Sequence, residues 1–243
     1  RYYAVTGVQT CALPIFKKAA ELMSEYSIKY NILTVVNDKV ASNILEIYSY
    51  YKENGWNYQQ YIACLDPLDE KRGEKKYALR QEQYGKFLIQ LFNLWYEDWE
   101  KNEQPYIRQF DNYIAILLGY QPESCEQRGT CGIQNVVEAD GSVFPCDFYM
   151  TDDYYIGNYN YDQTETIDEK RREIGFVARS TNISDECREC KFIKICRNGC
   201  QRCRDKDDIT GKYRNYFCES YKMFFDECLD KMEYIASYIA KKN

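Results

Sequence analysis

The sequence contains no histidine, and this absence excludes several kinds of site. Histidine is the usual general base near neutral pH and the commonest protein ligand of metal ions. A base in this protein must therefore be another side chain, and mixed cysteine–histidine zinc sites are excluded. Basic residues are also outnumbered: 32 Lys and Arg stand against 38 Asp and Glu, so the net charge is −6. This balance argues against a nucleic-acid partner, which requires a basic surface.

Long apolar segments are missing as well. No apolar run approaches the ~18 residues of a membrane-spanning helix, so we expect no membrane association. The amino-terminal apolar run is too short for an export signal, and Gln9 and Thr10 interrupt it. We therefore expect a protein of the reducing cytoplasm.

Cysteine is abundant instead, with 12 in 243 residues. Disulfide-rich scaffolds are usually small secreted domains, so a chain of this length without an export signal favours metal thiolates. Eight cysteines form the pattern C-x5-C-x14-C, followed later by C-x2-C-x5-C-x3-C-x17-C. They are Cys125, Cys131, Cys146, Cys187, Cys190, Cys196, Cys200 and Cys218.

Eight thiolates are enough for two four-ligand sites, but the spacing leaves both the metal and the pairing open. Thiolates select zinc or iron–sulfur clusters over hard cations, so structural zinc is one interpretation. Gly199 should ease the approach of backbone to sulfur. We do not expect Cys203 to be a ligand, and Cys228 falls on an apolar helical stripe typical of a buried thiol.

Basic residues alternate with the cysteines and should favour thiolate charge nearby. Taken singly, most of them are expected to be solvated surface residues. They are Lys191, Lys194, Arg197, Arg202 and Arg204.

The first half predicts a strand–helix–strand unit. An apolar, partly β-branched run within 27–37 is typical of a buried strand, a helical stripe follows it, and 57–65 is predicted as a second strand. This order predicts a parallel sheet, with active-site residues where the strands end. Amphipathic helices are predicted over 81–102 and 107–118, the first with an aromatic core face.

The second half is predicted to be rich in loops. Short strands over 134–138 and 142–144 should form a hairpin through an Asp-Gly turn, and Cys146 and Asp147 follow it directly. Helices are predicted over 166–178 and 217–240.

Residues 1–15 show neither helical nor strand periodicity. Their V-T-G-V-Q-T-C-A-L-P-I run resembles the translated read-through of a sequencing adapter, and we exclude this leader from the fold. We expect the native chain to start upstream of Phe16, so that the sequence is a truncated fragment.

The cysteine pattern and the segment C-G-I-Q-N-V-V-E-A-D-G-S-V-F-P-C-D-F-Y, from Cys131 to Tyr149, resemble a known family. They are similar to the SPASM twin-cluster region of radical S-adenosylmethionine enzymes, most closely the anaerobic sulfatase-maturating enzymes. The resemblance covers about residues 16–243 and implies an α/β fold. A C-terminal remnant of a partial (β/α) radical-SAM barrel would occupy 16–104. A cysteine-rich SPASM domain with a short β-hairpin and helices would occupy 105–243.

The resemblance also implies two auxiliary 4Fe–4S clusters with interleaved ligands. The first cluster would be bound by Cys125, Cys131, Cys146 and Cys200. The second would be bound by Cys187, Cys190, Cys196 and Cys218.

The family oxidises a sulfatase Cys or Ser side chain, in a Cys/Ser-x-Pro-x-Arg segment, to Cα-formylglycine. A radical from S-adenosylmethionine removes a hydrogen from the substrate β-carbon, and a base removes a proton. Asp147 matches the family's proposed base, and we expect it to be buried beside the first cluster. Leu65, after the second strand, would be a backbone contact of the adenosyl part. The implied partners are the sulfatase polypeptide and an electron donor such as ferredoxin or flavodoxin.

One family element is missing from this chain. The family's N-terminal C-x3-C-x2-C motif, which holds a third 4Fe–4S cluster that cleaves S-adenosylmethionine, is not found ahead of the strand–helix–strand unit, so we expect the chain alone to be inactive. Two other interpretations are another SPASM peptide-modifying enzyme, such as a thioether-forming peptide maturase, and a zinc-bound interaction module without catalysis.

Overall fold

The structure, a computed structural model, describes residues 9–68 and 70–242, with eleven α-helices and eight strands in these ranges. The helices are α1 (Gln9–Glu25), α2 (Asp38–Ser42), α3 (Ile44–Glu53), α4 (Gln81–Glu100), α5 (Arg108–Leu117), α6 (Cys125–Arg128), α7 (Thr164–Glu173), α8 (Phe176–Ser180), α9 (Asp185–Glu189), α10 (Ile193–Cys196) and α11 (Cys218–Lys242). The strands are β1 (Ile32–Val36), β2 (Tyr58–Ala63), β3 (Tyr106–Ile107), β4 (Val136–Val137), β5 (Ser142–Phe144), β6 (Gly157–Asn158), β7 (Arg204–Lys206) and β8 (Tyr213–Asn215).

The first half forms a three-stranded parallel sheet in the order β1-β2-β3. The predicted strand–helix–strand unit is confirmed, with α2 and α3 between β1 and β2. The side chain of Asn37 caps α2 by accepting a hydrogen bond from the Val40 amide at 2.9 Å. The predicted single helix is divided in two at Asn43, and β3 was not predicted. A two-residue strand is too short to show a periodic pattern.

The two faces of this sheet have different environments. Gln59 and Tyr61 of β2 are buried against the helices, whereas Leu33 and Val35 of β1 are 58% and 53% exposed on the other face. The register places Leu33 opposite Gln60 of β2. One face is therefore closed by the core, and the other is open towards the cysteine-rich region.

The main core lies between α4 and α11. As predicted, the aromatic face of α4 is buried, and its Phe92 packs against Phe224 of α11 with ring centroids 5.9 Å apart. Cys228 is fully buried on α11, as expected. Core residues run from Val36 to Ala236, so both halves of the chain share one core. The boundary between 104 and 105 stays a prediction.

The second half contains two small antiparallel sheets. Strands β4, β5 and β6 form one, and the predicted hairpin is confirmed, with Gly141 of its turn at a φ of 85°. Strands β7 and β8 form the other and were not predicted. The predicted helix over 166–178 is instead two helices, because Gly175 takes a left-handed φ of 64° between them.

Helix α1 begins at Gln9, inside the leader that we excluded from the fold, and ends at Glu25. Residues 1–8 of that leader lie outside the described residues. Among the helices of the described ranges, none has the combination of length and apolar character that a bilayer span requires.

Candidate functional site

One pocket brings together four cysteines from distant parts of the sequence. It has a volume of about 410 Å³ and also contains Asp147. Its cysteines are Cys125, Cys131, Cys146 and Cys200. This is the set that the family resemblance assigns to the first cluster.

A second pocket contains the other four predicted ligands. Its volume is about 20 Å³, which is room for about one water molecule. This volume does not show room for a group larger than a water molecule. The argument that the second pocket binds a metal centre therefore depends on its four thiols. The cysteines of this pocket are Cys187, Cys190, Cys196 and Cys218.

The chain passes from the second pocket to the first within three residues. Arg197, Asn198 and Gly199 separate Cys196 from Cys200, and their φ angles are 50°, 63° and 57°. Three successive left-handed residues reverse the backbone sharply, at a cost for the two non-glycine residues. This turn points the two neighbouring thiols into different pockets.

The Asn198 side chain offsets part of that cost. Its Oδ1 accepts a hydrogen bond from the Asn215 amide at 2.8 Å, and its Nδ2 donates to the Tyr213 carbonyl at 3.1 Å. The turn is thereby fixed to β8. Gly199 packs closely against the Asn215 side chain, because a Cβ added there would lie 2.5 Å from Asn215 Nδ2. The expected approach of the Gly199 backbone to sulfur stays a prediction.

Gly129 brings the loop between Cys125 and Cys131 against the same turn. Its φ is 70°, and a Cβ at this position would collide with the carbonyl of Arg197. We expect Gly129→Ala to lose the ~1–2 kcal/mol of a left-handed non-glycine residue and a further ~1–3 kcal/mol from overpacking. It should also lower the metal bound by the first cysteine set. Thermal unfolding and metal analysis of the purified variant test this.

Gly119→Ala is the matched control. Gly119 has a φ of 85° but no heavy atom within 4 Å of an added Cβ. It should therefore show the backbone penalty alone and keep its metal. Equal losses in the two variants would contradict a close approach at Gly129.

Burial keeps several of the thiols protonated when no metal is bound. It raises the pKa of Cys131 to about 11 and the pKa values of Cys146 and Cys196 to about 12. A metal that binds these sulfurs must displace their protons. Cys200 differs, because a hydrogen bond with Cys203 lowers the pKa of Cys200 and raises that of Cys203.

The donor sets suit groups that take four thiolates each. Both 4Fe–4S clusters and tetrahedral zinc have this requirement. Among the described residues, no three Cys, Asp or Glu side chains are gathered as closely as a single metal ion needs. The thiols of the first set thus surround a space of about 410 Å³ instead of meeting at a point. Cys203 lines neither pocket.

Asp147 is exposed, so the expectation that it is buried is wrong. A 3₁₀ helix begins directly after Cys146 and turns Asp147 outward, whereas Tyr149 two residues later is buried against Phe176. Cys146 Sγ donates a hydrogen bond to Asp147 Oδ1 at 3.3 Å. The carboxylate is therefore held beside a predicted ligand and remains accessible from the pocket.

Leu65 lies just beyond β2 and packs partly buried against the main core. It does not line either cysteine pocket. The next residue, Asp66, is connected to the cysteine-rich region, because buried Arg202 donates a hydrogen bond from Nη2 to the Asp66 carbonyl at 2.5 Å. The end of β2 and the cysteine loops are thus joined directly.

Sequence reasoning missed the polar side of the first pocket. Arg108 pairs with Glu123 at 2.8 Å and donates to Gln60 Oε1 at 3.2 Å. These three residues also line an adjacent polar pocket of about 340 Å³. Isolated charged residues near loops carry no pattern that distinguishes them from surface residues, so no sequence signal was available.

Comparison with known proteins agrees with this geometry. The SPASM family, described as an iron–sulfur cluster-binding domain, matches residues 125–191. A cysteine-type anaerobic sulfatase-maturating enzyme of Clostridium perfringens (strain 13 / Type A) is 40% identical over 232 residues, which are 94% of this chain and 63% of that enzyme. Over 94% of its own length, the chain is thus similar to an anaerobic sulfatase-maturating enzyme.

Further anaerobic sulfatase-maturating enzymes extend the comparison. A serine-type enzyme of Bacteroides thetaiotaomicron is 26% identical, over 91% of this chain and 58% of its own length. The solved structure of native anSMEcpe with bound AdoMet and Cp18Cys peptide matches with a TM-score of 0.86 and 40% identity. That match covers 92% of this chain and 62% of the solved one, and it confirms the α/β fold class. The chain spans about 63% of the length of the first curated relative.

Proposed function

We propose that the protein oxidises a Cys or Ser side chain of a sulfatase polypeptide to Cα-formylglycine. The observation that carries this proposal is the pocket in which four thiols and Asp147 meet. It occurs in a chain that is 40% identical to a cysteine-type sulfatase-maturating enzyme. A solved relative contains AdoMet and a Cys peptide, so we transfer those cofactor and substrate classes to this protein.

We propose further that each cysteine set holds one auxiliary 4Fe–4S cluster, which supplies a site for electrons when bound. The donor sets support this assignment, because each pocket offers four thiols and no other metal-binding side chain type is needed. The complete enzyme would use a third 4Fe–4S cluster and S-adenosylmethionine. The ligands of the first auxiliary cluster are Cys125, Cys131, Cys146 and Cys200. Those of the second are Cys187, Cys190, Cys196 and Cys218.

Asp147 is the proposed catalytic base. Oxidation of the substrate side chain removes a hydrogen atom, a proton and an electron, and S-adenosylmethionine supplies the hydrogen-abstracting radical when bound. The chain has no histidine to take the proton, and Asp147 offers an accessible carboxylate in the pocket. Leu65 would contact the adenosyl part through its backbone, as the family resemblance implies.

The pocket also suggests how the substrate peptide is held. Ile133 and Phe148 provide exposed apolar surface at the pocket, and Arg108 and Glu123 contribute charged groups to its lining. An extended peptide could bury apolar atoms on the first pair while its polar groups face the second. This arrangement suits a polypeptide substrate.

The proposed electron donor is a small redox protein such as ferredoxin or flavodoxin, in the reducing cytoplasm. The eleven cysteines from Cys64 to Cys228 are free thiols rather than disulfides. Free thiols persist in such a compartment.

A chimaera tests the proposed activity. Residues 16–243 would replace the matching part of the Clostridium perfringens enzyme, and the product would be reconstituted with iron and sulfide. We expect formylglycine in a Cys peptide, detected by mass spectrometry, with the parent enzyme as control. A thioether crosslink in place of the aldehyde would indicate a peptide maturase. A fully iron-loaded chimaera that leaves both Cys and Ser peptides unchanged would refute the proposal.

A further inference from the structure

Arg204 is an interior cation bonded to main-chain carbonyls. It begins β7 and is only 5% exposed. Its guanidinium donates four hydrogen bonds, to the carbonyls of Asn198 at 3.0 Å, Ser180 at 2.5 Å, Gly129 at 2.7 Å and Gly199 at 2.6 Å. These contacts are made to neutral acceptors, so they leave the positive charge uncompensated.

The acceptors of Arg204 belong to the loops that carry the two cysteine sets. Gly129 lies between the first two cysteines of the first pocket. Asn198 and Gly199 form the turn that leads from the second pocket to the first. Ser180 holds the first pocket from another side, because its Oγ accepts a hydrogen bond from the Cys131 amide at 2.9 Å. One side chain therefore connects both sites.

Thiolates of both cysteine sets can supply the negative charge that Arg204 lacks. Burial lowers the pKa of Arg204, and the groups that oppose this effect are Cys131, Cys200, Cys187 and Cys203, in that order. They include members of both cysteine sets. A buried cation is unfavourable unless an anion accompanies it, and clusters ligated entirely by thiolates carry net negative charge.

We propose that Arg204 is the shared counter-cation and anchor of the two cluster sites. Its charge balances the thiolate-ligated groups on both sides, and its four hydrogen bonds hold their loops in place. This inference rests on the two-cluster assignment above. Arginine suits the position because its planar guanidinium has five fixed donors and is more weakly hydrated than an ammonium group. Arg204 is thus a positioning residue, not a catalytic one.

The charge has a measurable consequence. A nearby cation favours the reduced, more negative state of a cluster, so it raises the reduction potential. Arg204→Met should therefore shift the potentials of both auxiliary clusters to more negative values or prevent their assembly. Arg204→Lys keeps the charge but cannot reproduce the four hydrogen bonds. It should retain the potentials of the unmodified chain and more iron than Arg204→Met.

Arg188→Met is the matched control for the loss of charge. Arg188 lies between two ligands of the second pocket, but its side chain is 55% exposed, so water screens its charge. The three variants and the unmodified chain would be reconstituted anaerobically. Iron and sulfide per chain would be measured, followed by redox titration monitored by electron paramagnetic resonance. Arg188→Met should match the unmodified chain in all of these quantities.

Thermal unfolding provides a second readout that does not require a loaded variant. In the metal-free chain Arg204 has no anion beside it, so Arg204→Met should lower the melting temperature less there than in the cluster-loaded chain. An equal loss in the two forms would show that Arg204 is a structural residue only.

Two further results would overturn the inference. One is full iron content with unchanged potentials in Arg204→Met. The other is the same iron deficit in Arg204→Lys and Arg204→Met, since charge would then contribute nothing. Failure of the unmodified chain to bind iron would refute the cluster assignment itself, and the inference would fall with it. Iron binding by the unmodified chain thus tests the cluster assignment separately from the role of Arg204.

Discussion

Cys200→Ala is expected to empty the first cluster site and leave the second one filled. In sequence, Cys200 stands among the cysteines of the second set, four residues after Cys196. In space it lines the pocket of Cys125, Cys131 and Cys146. Iron should fall from about eight to about four atoms per chain, as expected for loss of one of two 4Fe–4S clusters. The broad absorption near 400 nm should fall by about half.

Two matched substitutions sharpen this test. Cys218→Ala should remove the other half of the iron, because Cys218 lines the second pocket. Cys203→Ala should retain both clusters, although Cys203 is buried three residues from Cys200 and hydrogen-bonded to it. Electron paramagnetic resonance of the reduced proteins would then show which cluster each variant keeps. Loss of the same signal from the Cys200 and Cys218 variants would contradict the interleaved arrangement. Two zinc ions per unmodified chain, with no colour, would refute the cluster assignment.

The interleaving could not have been derived from spacing alone. A gap of three residues ordinarily keeps two thiols near one another, so Cys196 and Cys200 could have shared a site. They separate because three successive residues take left-handed φ angles, and tertiary contacts with β8 fix that turn. Of these three residues, only Gly199 indicated a left-handed backbone from the sequence. Family resemblance supplied the pairing, and the two pockets reproduce it.

Helices α4 and α11 could be predicted because their apolar stripes are long and bury many side chains in one core. Strands β3, β7 and β8 could not, because each has only two or three residues and, unlike the equally short β4 and β5, is not marked by an Asp-Gly turn. The local apolar pattern thus predicted the helices α4 and α11, which form the main core. The short strands β3, β7 and β8 depend on pairing with a partner strand.

The basic residues near the cysteines illustrate the same limit. Lys191 and Lys194 are exposed, as expected for a solvated surface, whereas Arg202 and Arg204 are buried. Nothing in the local sequence distinguishes these two groups. Burial of Arg202 and Arg204 follows from carbonyls contributed by distant loops, 24 to 136 residues away in the clearest cases. Composition and spacing therefore do not identify Arg202 and Arg204 as the residues that hold the cysteine loops in place.

Asp147→Asn is expected to abolish formylglycine formation without loss of iron. In the chimaera described above, the rate should fall by about 10²-fold or more, the usual contribution of a positioned general base. The amide has the shape of the carboxylate, and no hydrogen bond from Cys146 is lost, because a cluster-bound Cys146 is a thiolate without a proton to donate. The geometry beside the cluster should therefore persist while the proton acceptor is lost. Formylglycine yield, iron content and cleavage of S-adenosylmethionine would be measured on the same preparation.

Asp152→Asn provides the control for this charge change. Asp152 is also exposed and also begins a 3₁₀ helix, but it does not line the pocket. Its variant should retain full activity. Continued cleavage of S-adenosylmethionine without aldehyde product in the Asp147 variant would locate the defect in proton removal rather than in radical formation. An Asp147 variant with intact clusters and an unchanged formylglycine rate would exclude this carboxylate as the base. Because the chain has no histidine, the proton would then have to pass to another acceptor in the pocket, and Glu123 and Glu126 line it.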